Sequence, residues 1–120
     1  MTKTVLSVDD SVTMRQMIAF TLTKAGYEVL EAGDGVEALA VAASRKLDLV
    51  ITDVNMPNMD GITLVQRLRA QSAHRFTPIL VLTTEAGQDF KQRGKEAGAT
   101  GWIVKPFSPD KLMEVVGKVL

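Results

Sequence analysis

From residue 4 onward the chain alternates without interruption between short β-rich runs and segments of helical spacing, and this restricts its fold more than any other feature. Thr4–Val8 (TVLSV), Glu28–Ala32 (EVLEA), Leu47–Thr52 (LDLVIT), Ile79–Thr83 (ILVLT) and Gly101–Val104 (GWIV) read as strands. The third and fourth are nearly continuous apolar runs, as strands covered on both faces of a parallel sheet require. Apolar residues at helical spacing mark the segments between them: Met14, Met17, Ile18 and Ala25; Val36, Leu39, Ala40 and Ala43; Leu64, Val65 and Leu68; Leu112, Val115, Val116, Val119 and Leu120. A further helix at about 88–97 has only Phe90, Gly94 and Ala97 for its inner face. It is expected to be the least stable, because a glycine inside a helix costs about 1 kcal/mol.

The punctuation agrees. Gly26 and Gly98 follow helical segments where a left-handed cap belongs, and Ser11, Asp34, Asp60 and Ser108 stand at N-cap positions, with Pro109 in first helical place. Five β/α units predict one α/β domain over residues 1–120, a doubly wound parallel sheet with helices on both faces. The 120 residues leave room for no second domain. With no cysteine, disulfides, zinc–thiolate sites and thiol catalysis are excluded. Fourteen basic and fourteen acidic residues cancel, so nothing favours nucleic-acid binding. No apolar run suits a membrane helix, and Asp9 and Asp10 come too early for a signal peptide. The expectation is a soluble cytoplasmic monomer.

In open α/β sheets ligands bind beyond the carboxyl ends of the strands. There the sequence puts Asp9 and Asp10 after the first strand, Asp53 and then Asn55 after the third, Thr83, Thr84 and Glu85 after the fourth, and Lys105 after the fifth. Crowded carboxylates repel one another unless a cation neutralises them, and an all-oxygen set suits Mg2+. A carboxylate held beside a divalent ion and a lysine, with a threonine hydroxyl near, can accept a phosphoryl group.

DDSVTMR after the first strand, DVNMPNMDG after the third, LTTE after the fourth and GWIVKPF at the fifth resemble receiver domains of two-component response regulators, most of all the stand-alone chemotaxis regulators. The likeness spans essentially the whole chain, with all four motifs in order. It implies a flavodoxin-like sheet of strand order 2-1-3-4-5, which the spacing alone does not establish. It implies that Asp53 is the phosphoacceptor, charged by a sensor histidine kinase, and that Asp9, Asp10, Asp53 and the Asn55 backbone carbonyl hold Mg2+. Lys105 would contact the phosphoryl group, Thr83 would turn in to bond it, and Asn55 and Glu85 would tune its lifetime. The Lys105–Pro106 peptide would be cis. Trp102 stands where the family usually has tyrosine or phenylalanine, so this bulkier ring puts the aromatic readout in question. A flagellar motor switch protein and a phosphatase are the implied further partners, reached through the face of the fourth helix, fifth strand and fifth helix.

Other readings compete. A phosphorelay intermediate or phosphate sink would use the same site. A haloacid-dehalogenase-type phosphatase needs an acid where Asn55 stands, and a flavodoxin-like carrier needs a phosphate-cradling loop where Asp9 and Asp10 would repel phosphate. An unphosphorylated scaffold would not need the acids and Lys105. Among remaining residues, Gly61 is read as allowing a close turn, His74 as a surface residue, Met56 and Met59 as lying in an exposed loop, and Met14, Met17 and Met113 as core filler.

Overall fold

The computed structural model describes residues 2–84 and 88–120. Strands β1 (Thr4–Val8), β2 (Glu28–Ala32), β3 (Leu49–Asp53), β4 (Ile79–Thr83) and β5 (Gly101–Val104) alternate with helices α1 (Val12–Lys24), α2 (Gly35–Ser44), α3 (Gly61–Arg69), α4 (Gln88–Ala97) and α5 (Pro109–Val119). A short 3-10 turn, Ser72–His74, precedes β4. The five strands pair in parallel in the order β2-β1-β3-β4-β5, the order expected from the resemblance. No helix among the described residues is long and apolar enough to cross a membrane.

Strand alternation sorts the core into two layers. Val5, Leu49, Ile51, Leu80, Leu82 and Ile103 pack with Ile18 and Leu22 of α1 and Leu112 and Val116 of α5. Leu6, Val8, Val50, Ile79 and Val81 pack on the other face with Ala38 and Ala42 of α2, Leu64, Val65 and Leu68 of α3, and Ala97 of α4. β3 and β4 are buried along their whole length, as their unbroken apolar runs require.

The caps are where the sequence puts them. The side chains of Ser11, Asp34, Asp60 and Ser108 each accept the backbone N–H three residues on, at 3.2, 2.8, 2.8 and 3.1 Å. Gly26 and Gly98 close α1 and α4 with φ of 99° and 106°. The Lys105–Pro106 peptide is cis.

Four readings need correction. The third strand is Leu49–Asp53 rather than Leu47–Thr52, so Asp53 ends the strand instead of following it. α2 buries Gly35, Ala38 and Ala42, whereas Val36, Ala40 and Ala43 face solvent. At Gly35 the reason is close approach: a Cβ there would stand 2.9 Å from the Met59 side chain. His74 is buried, its Nε2 3.0 Å from the Ala42 carbonyl and its Nδ1 3.3 Å from the Thr77 hydroxyl. A carbonyl can only accept, so Nε2–H donates to an oxygen near the end of α2 that the helix itself leaves unbonded. Met56 and Met59 are half-buried against the α2–α3 layer rather than exposed.

Candidate phosphoryl and metal site

Sheet register explains how distant residues meet. Val5 and Ser7 lie beside Leu49 and Ile51 across the β1–β3 ladder, and two residues further Asp9 and Asp53 leave the sheet on that same face. Leu82 beside Asp53, and Ile103 beside Leu82, continue the row, so Lys105, two beyond Ile103, also emerges there. Its Nζ lies 3.1 Å from Asp53 Oδ1 and 3.4 Å from Asp9 Oδ2. Asp10, one residue out of phase with Asp9, is exposed at the rim, yet carboxylate oxygens of Asp9, Asp10 and Asp53 all lie within 4.8 Å of one another.

The backbone holds these carboxylates. Asp9 Oδ1 accepts the Ser11 N–H at 2.9 Å, and Asp53 Oδ1 accepts the Val54 N–H at 2.8 Å. The Asp9 N–H bonds the Ala32 carbonyl at 3.1 Å and its carbonyl accepts Arg15 Nη1 at 2.6 Å. Gly61, at the start of α3, lies so close to the Asp53 carbonyl that an added Cβ would collide with it, which gives the predicted close turn its cause. Burial pushes the Asp9 carboxyl above its ordinary value; the Ser11 N–H opposes this, the Asp53 carboxylate adds to it, and Lys105 offsets part of it.

Three carboxylates facing one ammonium leave an excess of negative charge in a partly dry cleft. The donor set fits magnesium, which takes hard oxygen ligands at about 2.0–2.1 Å, and three carboxylates within 4.8 Å of one another can close on one such ion. Asp9, Asp10 and Asp53 would supply the carboxylates, and waters the remaining positions.

Thr83 is buried at the end of β4, one residue out of phase with the row that carries Asp53, and so shares the opposite face with Trp102 of β5. Trp102 is half-buried against the α3–α4 layer, with Lys91 Nζ 5.3 Å from its ring centroid. Thr84 and Asn55 are exposed. Glu85 lies outside the described residues. Arg15 is the site residue that sequence reasoning misses; the available signal is its place in DDSVTMR, six residues beyond Asp9 and one helical turn in from the Ser11 cap.

Comparison with known proteins agrees with this geometry. Residues 5–117 match the response regulator receiver domain. The Vibrio cholerae chemotaxis response regulator CheY4 superposes with a TM-score of 0.97 at 52% identity, each chain covered over its full length. The phosphate regulon transcriptional regulatory protein PhoB of Pseudomonas aeruginosa is 43% identical over 98% of this chain, which spans about half (52%) of that relative's length. The receiver domain of sensor histidine kinase PA1611 from the same species, solved with a magnesium ion in its active-site cleft, is 28% identical with a TM-score of 0.89, covering 98% of this chain and 97% of its own. The chain is a member of the response regulator receiver domain family.

Proposed function

We propose that Asp53 is the phosphoacceptor of a two-component signalling system and that the chain serves as a chemotaxis-type response regulator. The observation that carries this is the Lys105 ammonium held 3.1 Å from an Asp53 carboxylate that shares its cleft with Asp9 and Asp10. An Asp53 oxygen attacks the phosphorus of a phosphohistidine on a sensor histidine kinase. A P–O bond forms, the P–N bond breaks, and the imidazole leaves with the electron pair and takes up a proton. Lys105 stays beside the acceptor and compensates charge on the transferring oxygens. Asp9 and Asp10, with Asp53 and the Asn55 carbonyl, would hold Mg2+, which would supply positive charge against the negative phosphoryl oxygens. The magnesium in the PA1611 receiver supports this assignment.

Thr83 senses the new phosphoryl group and passes its presence through the face it shares with Trp102 to α4, β5 and α5. Asn55 and Glu85 set how long the phosphoaspartate lasts. The likeness to CheY4 over the full chain supports chemotaxis, with a flagellar motor switch protein as output partner, a phosphatase as terminator and the cytoplasm as the site of action. The chain acts stoichiometrically, assisting its own phosphorylation and hydrolysis, rather than as a turnover enzyme.

Acetyl phosphate with and without Mg2+, read by intact mass, tests the core of this. One phosphoryl group is expected to add only when Mg2+ is present, and Asp53→Asn is expected to abolish it. Labelling of that variant to the wild-type level would remove Asp53 from the role. If the phosphoryl group is too short-lived to see, beryllium fluoride gives the answer, because a receiver cleft binds it as a stable phosphoryl mimic.

A further inference from the structure

We propose that Arg15 is a positioning residue for the metal ligands: it fixes the plane of the Asp9–Asp10 peptide and so aims both carboxylates at the cation. The inference rests on the magnesium reading of the acidic cluster given above. Asp9 is held on every side, by the Ala32 carbonyl, the Ser11 N–H and Lys105. Asp10 is exposed and makes no side-chain hydrogen bond among the described residues, so the peptide that precedes it must set its direction. The acceptor of that peptide is the Asp9 carbonyl, and Arg15 Nη1 bonds it at 2.6 Å.

The guanidinium is itself tethered. Its Nε lies 3.3 Å from Glu31 Oε1, and its side chain is only 18% exposed, which for an arginine at the rim of a cleft means a seated group. A Cβ on Gly33 would come within 3.5 Å of Nη1, and the Gly33 N–H is engaged by Glu37 at 3.3 Å, so the β2–α2 turn walls the same site. Arg15 thus joins β1, α1 and β2 through one planar fork that addresses a carbonyl and a carboxylate together, which a lysine cannot reproduce.

Charge alone makes the opposite prediction. Arg15 is a cation beside an acidic cluster, so by Coulomb's law its removal would draw Mg2+ in more tightly. Positioning requires weaker binding, because partners that orient metal ligands usually contribute about 10- to 100-fold to affinity.

Magnesium titration of the unphosphorylated full chain by calorimetry separates the two, with the Asp10 and Ser11 amide resonances of the metal-free protein followed by NMR. Arg15→Met is expected to weaken Mg2+ about 10-fold or more and to shift both amides. Arg15→Lys keeps the charge, threatens the fold least, and is expected to weaken Mg2+ as well. Unchanged or tighter binding in both variants, with wild type binding normally, would overturn the role of Arg15. Should Arg15→Met fail to fold, the Arg15→Lys titration decides alone. Absence of Mg2+ binding in wild type would instead overturn the metal reading, and this inference with it.

Discussion

The two ends of the sheet solve opposite electrostatic problems. At the carboxyl end three carboxylates cluster, and one lysine reaches two of them, Asp9 and Asp53. At the amino end the guanidinium of Arg69, at the close of α3, is surrounded by neutral oxygens. Its Nε donates to the Gly98 carbonyl at 2.9 Å, its Nη1 to the carbonyls of His74, Thr77 and Arg75 at 2.9, 2.6 and 3.3 Å, and its Nη2 approaches the Thr100 hydroxyl at 3.4 Å. Burial lowers its pKa from the ordinary arginine value, yet arginine stays charged. One end is satisfied in a single arrangement that ties α3, the loop before β4 and the end of α4 together. The other is left short of positive charge.

The largest effect is expected where fold and site share backbone. Gly61→Ala would drive a methyl into the Asp53 carbonyl, and Val54 Cα at 3.0 Å leaves it no escape. Overpacking against backbone that cannot yield is expected to cost about 3 kcal/mol in urea unfolding. Because the displaced group is Asp53 itself, labelling by acetyl phosphate should fall as well. Wild-type labelling in a destabilised Gly61→Ala protein would show that the strand end tolerates a shift, and the coupling would be lost.

Arg69→Met comes next and separates the two ends. It removes charge-assisted hydrogen bonds to carbonyls that have few other donors, an expected loss of about 2 kcal/mol. Mg2+ affinity should stay within twofold of wild type, about 0.4 kcal/mol, since nothing at the carboxyl edge touches Arg69. A weakened Mg2+ site in this variant would mean that the ends communicate, and the contrast between them would have to be redrawn.

Much of the site is legible in the sequence because it depends on strand ends and residue type. Asp9 and Lys105 each stand one residue beyond a strand and Asp53 closes one, and parity along those strands suffices to bring them together. Capping by Ser11, Asp34, Asp60 and Ser108 is legible for the same local reason. What stays hidden depends on partners far away in sequence. In α2 nearly every residue is apolar, so no polar stripe marks the outer face, and at Gly35 contact with Met59 leaves no room for a side chain. His74 lies among polar residues, and its buried partner, the Ala42 carbonyl, stands 32 positions earlier. Arg15 offers only its place in DDSVTMR as a signal, because its partners, a backbone carbonyl and a carboxylate on the next strand, leave no pattern near it.

The smallest effect is a pair of opposed pH slopes. Asp34 caps α2 and accepts the Glu37 N–H and the Asn58 side-chain amide, which lower its pKa below the ordinary 3.8. The folded chain therefore holds that proton less tightly than the unfolded chain does. Asp34 contributes stability above 3.8 that is lost as pH falls through its depressed folded value. Asp9 runs the other way. Its folded pKa is raised above 3.8, so the folded chain binds the proton more tightly, and as pH rises from 3.8 through that raised value stability is lost. Urea unfolding in chelator across that window should show Asp9→Asn losing less stability than wild type as pH rises, while Asp34→Asn loses less as pH falls. Saturating Mg2+ should erase the Asp9 slope, because the ion favours the ionised carboxylate, and leave the Asp34 slope unchanged. If Mg2+ moved both slopes alike, the cation would be stabilising the chain at large, and the carboxyl edge would have no special claim on it.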